Sequence, residues 1–235
     1  MKAETVYIFV FESDTESTRV AAGLFQKFGT RATHGVVVKI GDENTYTVTN
    51  MKKGNPPLKE GIEQSTNTNF KKAWRAVKNE PAPAAAEPAH RVGVYLVSHG
   101  MLAAYWDPSP VEMVDGMQAV MPDDMFVLIE KISLVKCMAV EREETGQMLQ
   151  FLQLLKDRGC RPQVAAWDTM VTASPGDPEQ HIAEHAQASV GKKFIKPGDA
   201  WVPAKAEREQ HKRVFQLNAE GALVSGPPSV FRQPV

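Results

Sequence analysis

Cysteine is scarce in this chain: 235 residues hold only two, Cys137 and Cys160. Two cannot make a disulfide framework, and both read as reduced thiols, Cys137 inside an apolar run and Cys160 just after a helical pattern. An excess of charge of one sign is also lacking. The formal net charge is −1, which gives no electrostatic basis for binding nucleic acid or an anionic membrane. No apolar run approaches the roughly 20 residues needed to cross a bilayer, so no membrane span is expected. The opening MKAETVYIFVFESD lacks an apolar stretch followed by a small-residue cleavage site, and does not read as a signal peptide. The expected location is therefore the cytoplasm, or another cell reached without such a signal. Internal repeats are absent.

Hydrophobic residues make up 43% and charged residues 23%, as in an ordinary globular protein. The length fits one domain over residues 1–235. Val6 to Phe11 is a continuous apolar run, the pattern of a buried strand. Ser13 or Asp14 then caps a helix that places Val20, Leu24, Phe25 and Phe28 on one face and ends at Gly29. Gly35–Ile40 and Thr45–Thr49 read as strands joined by a turn at Asp42–Asn44. A short helix is expected over Asn69–Val77, and residues 81–90, PAPAAAEPAH, form a Pro/Ala-rich surface loop.

The middle of the chain carries the chemistry. Val92–Val97 reads as a strand ending in Ser98-His99-Gly100, and Ile132–Val135 as a strand ending in Lys136-Cys137. A polar, Pro-rich connection with Asp107, Asp115, Asp123 and Asp124 separates them. Met148, Leu149, Leu152 and Leu155 then fall at helical spacing before Gly159. Gln163–Trp167 is a further strand, followed by Asp168. Beyond it, residues 171–235 are expected to add a helix from Pro178, capped by Asp177, and a β-hairpin over RVFQLNAEGALVSG. This alternation predicts an α/β fold with a mostly parallel central sheet flanked by helices.

Sites in open α/β sheets gather beyond the carboxyl ends of the strands. His99 and Cys137 both stand there. A thiolate is a strong nucleophile, and an imidazole beside it takes the thiol proton and returns it to a leaving amine. The backbone N–H groups of Gly100 and Cys137 are candidates for an oxyanion hole. Taken alone, a strand-end cysteine is most often a small core residue, and a His-Gly a turn. Asp168 has two readings of equal weight: it receives a basic substrate side chain, or it caps the turn that follows.

LVSHG and ISLVKCMA together resemble the strand-His-Gly and strand-Cys signature of caspase-like (clan CD) cysteine peptidases. With VYIFVFE, TRVAAGLFQKF and GVVVKIGDENTYTV before them, the pattern is most similar to the autoprocessing cysteine protease domain of large bacterial toxins. That resemblance implies a caspase-like fold and peptide-bond hydrolysis on a polypeptide substrate. Cys137 would be the nucleophile, His99 the general acid and base, and no metal would be required. It also implies an inositol phosphate activator, for which Lys192, Lys193, Lys196, Arg208, Lys212 and Arg213 form a candidate basic patch; a solvated surface is the commoner use of such residues. Lys136 departs from the pattern, because the family has a small residue before its cysteine. A catalytically inactive caspase-like binding or toxin-associated module is therefore an alternative.

Three other chemistries compete with this reading. HIAEH, residues 181–185, matches the H-x-x-E-H zinc pattern and puts His181, Glu184 and His185 on one helix, but a third ligand is not evident. VYLVSHGMLAAY resembles the second histidine motif of histidine phosphatases, yet FESDTES stands where their Arg-His-Gly is needed. The His-Gly could also be the oxyanion loop of an α/β-hydrolase, but that reading fails for lack of any G-x-S-x-G elbow.

Overall fold

The run TVYIFV forms strand β1, Thr5–Val10, and every one of its residues is buried. A strand with no polar alternation needs cover on both faces, and the rest of the chain supplies it. The computed structural model describes residues 5–11, 17, 20–21, 23–24, 27, 32–40, 46–50, 91–98, 106–135, 140, 146–173 and 192–231. Over 32–40 and 46–50 the description is of the backbone.

Eight strands form one sheet in the order β11-β10-β6-β5-β4-β1-β2-β3. Here β2 is Ala32–Ile40, β3 Tyr46–Asn50, β4 Val92–Val97, β5 Ile129–Val135 and β6 Gln163–Trp167. Strands β2, β1, β4, β5 and β6 run parallel. The antiparallel strand β3 closes one edge, and the hairpin of β10, Lys212–Leu217, and β11, Leu223–Gly226, closes the other. The α/β class, the mostly parallel sheet and the C-terminal hairpin are as the sequence led us to expect. Gly221, at φ 84°, turns the hairpin, and the Asn218 side chain accepts from the Ala222 N–H at 2.8 Å.

One face packs Tyr7, Phe9, Val94, Leu96, Ile132, Leu134, Val164 and Phe215 beneath two helices, Pro110–Val120 and Gly146–Asp157. The first of these replaces part of the expected polar connection. Its start is written as Ser109-Pro110-Val111-Glu112. The Glu112 N–H donates to the Ser109 hydroxyl at 3.3 Å, and the Ser109 N–H donates to the Glu112 carboxylate at 2.7 Å. This is a capping box with proline at the first helical position. The second helix buries Met148, Phe151, Leu152 and Leu155. Phe151 therefore takes the core position that the sequence spacing assigned to Leu149, which is only partly buried. Gly159 ends this helical segment at φ 83°, and the Cys160 N–H donates back to the Leu155 carbonyl.

The opposite face packs Val6, Ile8, Val10, Val97, Val135 and Trp167. It is covered by helical residues between 17 and 27, with Val20, Ala21 and Leu24 buried, and by a small second sheet. That sheet, which the sequence did not lead us to expect, pairs β7, Met170–Ala173, with β8, Lys193–Lys196, and β8 with β9, Val202–Pro203. The expected helix over 69–77, the loop 81–90 and the helix from Pro178 lie outside the described residues.

A register shift between Val92 and Gly93 leaves one extra residue in β5, so that Ile129 pairs with Val92 and Lys131 with Gly93. The bulge lets Ile129 and Ile132 join the same core cluster despite their odd spacing, and turns Lys131 and Ser133 to the other face. Removing the capping hydroxyl of Ser109 tests how the helix Pro110–Val120 is held at its start. Ser109→Ala is expected to destabilise the protein by about 1 kcal/mol, measured by urea denaturation, and an unchanged midpoint would show that the cap contributes nothing.

Candidate active site

The carboxyl ends of β4, β5 and β6 lie side by side, because Val97 pairs with Val135 and Ser133 with Ala165. Just beyond the first pair, the Ser98 N–H donates to the Val135 carbonyl at 3.4 Å. His99, Gly100, Lys136 and Cys137 themselves lie outside the described residues, as does the HIAEH segment at 181–185. Two polar atoms at this rim are buried without a hydrogen-bond partner among the described residues: the Ser98 hydroxyl and the Trp167 indole N–H. Such orphans are uncommon and call for a functional or structural reason.

Asp168 follows β6 and is held at the start of the hairpin. Its carboxylate lies 3.0 Å from the Nδ1 of His211, and its N–H donates to the His211 carbonyl. The side chains are 10% and 24% exposed. His211 was not among the residues singled out in the sequence. It ends the short helix Arg208–His211 and enters the site only because β10 pairs with β6, a long-range contact that no local pattern announces.

The second cysteine is a contrast. Cys160 is a free, fully buried thiol whose Sγ contacts the Ile129 carbonyl at 3.5 Å. Burial pushes its pKa up to about 12, so it is a poor nucleophile at neutral pH.

Cations converge on the face covered by the small sheet. Lys193 of β8 donates to the Ser133 hydroxyl at 2.8 Å and stands 4.8 Å over the Tyr95 ring. Lys212 of β10 stands 5.6 Å over the ring of its register partner Trp167. Of the basic residues expected to form a patch, Lys193, Lys212 and Arg208 come to this crevice, joined by Lys131 and Lys27. Arg213 is the register partner of Ala166, which packs in the opposite core. Burial, then Lys212, Lys27 and Lys131, hold Lys193 well below the ordinary lysine range. Burial and Arg208 lower Lys131. Burial, then Lys131 and Arg208, push Lys212 down to about 8, with Glu209 opposing. Among the described residues no three His, Cys, Asp or Glu side chains are grouped to hold a metal.

Two predictions follow from these contacts. Asp168→Ala and His211→Ala should each cost about 1–3 kcal/mol, and the double variant should cost clearly less than their sum. Additive losses in denaturant melts would mean that the pair contributes nothing jointly. The lysines set a pH dependence. Between about 8 and the ordinary value of 10.5, the unfolded chain keeps a proton that folded Lys212 has released, so stability rises with pH. Cys160 and Tyr7 limit the rise: burial raises both pKa values, with Asp124 adding to it at Tyr7, so above the ordinary 9.0 and 10.0 the folded chain keeps these protons and each contribution falls with pH. The melting temperature should thus climb most clearly from pH 8 to near pH 9, and Lys212→Gln should flatten that climb.

No protein-family model matches the chain, and no curated protein does. Among solved structures it is similar to an inactive zymogen C11 protease from Parabacteroides distasonis, at 12% identity and a TM-score of 0.34, over 94% of this chain and 63% of that one. It is also similar to a secreted C11 cysteine protease from Bacteroides thetaiotaomicron in complex with an irreversible peptide inhibitor. There the identity is 10% and the TM-score 0.33, over 72% of this chain and 50% of that one. The chain spans less than two thirds of either protein's length.

Proposed function

We propose that the chain is a cysteine endopeptidase of caspase-like fold, with Cys137 as nucleophile and His99 as general acid and base. The observation that carries this reading is the in-register pairing of Val97 with Val135. His99 and Cys137 each follow that pair by two residues. Neighbouring strands lie about 4.8 Å apart, so the strand ends that lead to His99 and Cys137 stand side by side at one level. The orphaned Ser98 hydroxyl beside His99 is a further mark of a site at this rim.

The chemistry follows from these groups. His99 takes the thiol proton, and the Cys137 thiolate attacks the scissile carbonyl carbon. The negative oxygen is met by the N–H groups of Gly100 and Cys137. Collapse expels the amine, which takes its proton from His99 and leaves a thioester that water then hydrolyses. Asp168, just beyond the next strand, would read a basic side chain of the polypeptide substrate while its carboxylate stays against His211. An autoprocessing or effector role and an inositol phosphate activator extend the reading, with Lys131, Lys212 and Arg208 as the cations to meet that anion. No helix among the described residues is long and apolar enough to cross a membrane.

Alkylation with iodoacetamide, mapped by mass spectrometry, tests the assignment. Cys137 should react at least about tenfold faster than Cys160, and Cys137→Ala should abolish peptidase activity. His99→Ala should lower kcat/KM by roughly 10²–10⁴. Equal alkylation rates, or activity surviving in Cys137→Ala, would overturn the reading. If a peptidyl electrophile labels nothing, with or without inositol phosphate, the binding-module alternative stands.

A further inference from the structure

Lys193 presents a chemistry that the peptidase reading does not use. Its ammonium end is enclosed between the two sheets, its neighbours in charge are Lys212, Lys27 and Lys131, and its hydrogen-bond partner is a neutral hydroxyl. Among the described residues no carboxylate pairs with it. A buried cation surrounded by cations is unfavourable. Two changes relieve it: loss of the proton, and gain of a negative charge at the same nitrogen. A carbamate does both.

We propose that Lys193 is a carbamylation site, whose ε-amine captures dissolved carbon dioxide as a carbamate held by Ser133 and by the cations of Lys212 and Lys131. In the step, the Nζ lone pair attacks the carbon of carbon dioxide. An N–C bond forms, one C–O π pair moves onto oxygen, and one Nζ proton leaves to solvent. R–NH2 and CO2 thus give R–NH–COO⁻ and H⁺, with no oxidant or reductant.

Three observations favour this amine over the other lysines. Burial and like charge hold it well below the ordinary lysine range, so its neutral, nucleophilic form is reached at a lower pH than for an ordinary lysine. The Ser133 hydroxyl, which now accepts from Nζ at 2.8 Å, turns to donate to a carbamate oxygen. The Trp167 indole N–H is buried and has no hydrogen-bond partner among the described residues, on the same face. It is one same-face position beyond Ala165, the register partner of Ser133, and is a donor suited to an anionic oxygen. The product would turn a repulsive contact into an ionic link between β8 and the central sheet, so the small sheet should be held more firmly when carbon dioxide is present.

The test uses the whole chain in ¹³C-labelled bicarbonate near pH 8. A carbamate resonance is expected, lost in Lys193→Arg and weakened about tenfold in apparent affinity in Lys212→Gln, the loss of one charge-assisted contact. A resonance that survives in Lys193→Arg belongs to another amine, such as the α-amine, and overturns the proposal. Trapping the wild-type carbamate with triethyloxonium, followed by peptide mapping, needs no variant. An ethyl carbamate on Lys193 supports the site, and its absence from that peptide rules the site out. Neither result depends on peptidase activity.

Discussion

A parallel strand must be dry on both faces, and this protein is organised around that requirement. With β1 buried along its whole length, side chains on both sides of the sheet need partners. One side is met by two amphipathic helices that pack on each other, Pro110–Val120 and Gly146–Asp157. Their contact is reinforced by the ion pair of Arg158 with Asp115. The other side is met by the helical residues between 17 and 27 and by a three-stranded sheet that does not belong to the main one. Once both faces are sealed, the carboxyl rim is the part of the central strands left for chemistry.

The two covers differ in kind. The helical side is a continuous apolar cluster, whereas the sheet side is partly polar. Ser133, Tyr95 and Lys193 meet there beside the apolar contacts of Val20, Ala21, Leu24 and Ile195. Aromatic faces beneath Lys193 and Lys212 compensate some of the lost hydration. That compensation is incomplete, which is why burial is the first cause of depression for all three lysines, Lys131, Lys193 and Lys212.

Much of the scaffold was legible because its signals are local. Runs such as VGVYLV and QVAAW announce buried strands, and they form where the pattern places them. The helix at Pro110–Val120 is hidden in the sequence although its start is spelled out by Ser109, Pro110 and Glu112. The surrounding aspartates and prolines masked a capping box. Strand β5 was read three residues short because Glu130 and Lys131 break the apolar run, and only the bulge reconciles them with a strand. The small sheet was illegible for a different reason: KFIK is four residues long, and its partners are set by tertiary pairing. At the site, strand ends could be read from sequence. The contact of His211 with Asp168 and the gathering of Lys27, Lys131, Lys193 and Lys212 could not, since each draws on elements far apart in the chain.

Only Asp168 and Thr169 separate β6 from β7, and neither is slack. Asp168 is fastened to His211, and the Thr169 hydroxyl donates to the Lys196 carbonyl at 2.6 Å. A joint that short, pinned on both sides, behaves as a rigid corner rather than a swivel. Any tilt of the small sheet is therefore delivered mechanically to the end of β6, and the strand edge next to the proposed nucleophile feels forces that originate a full layer away.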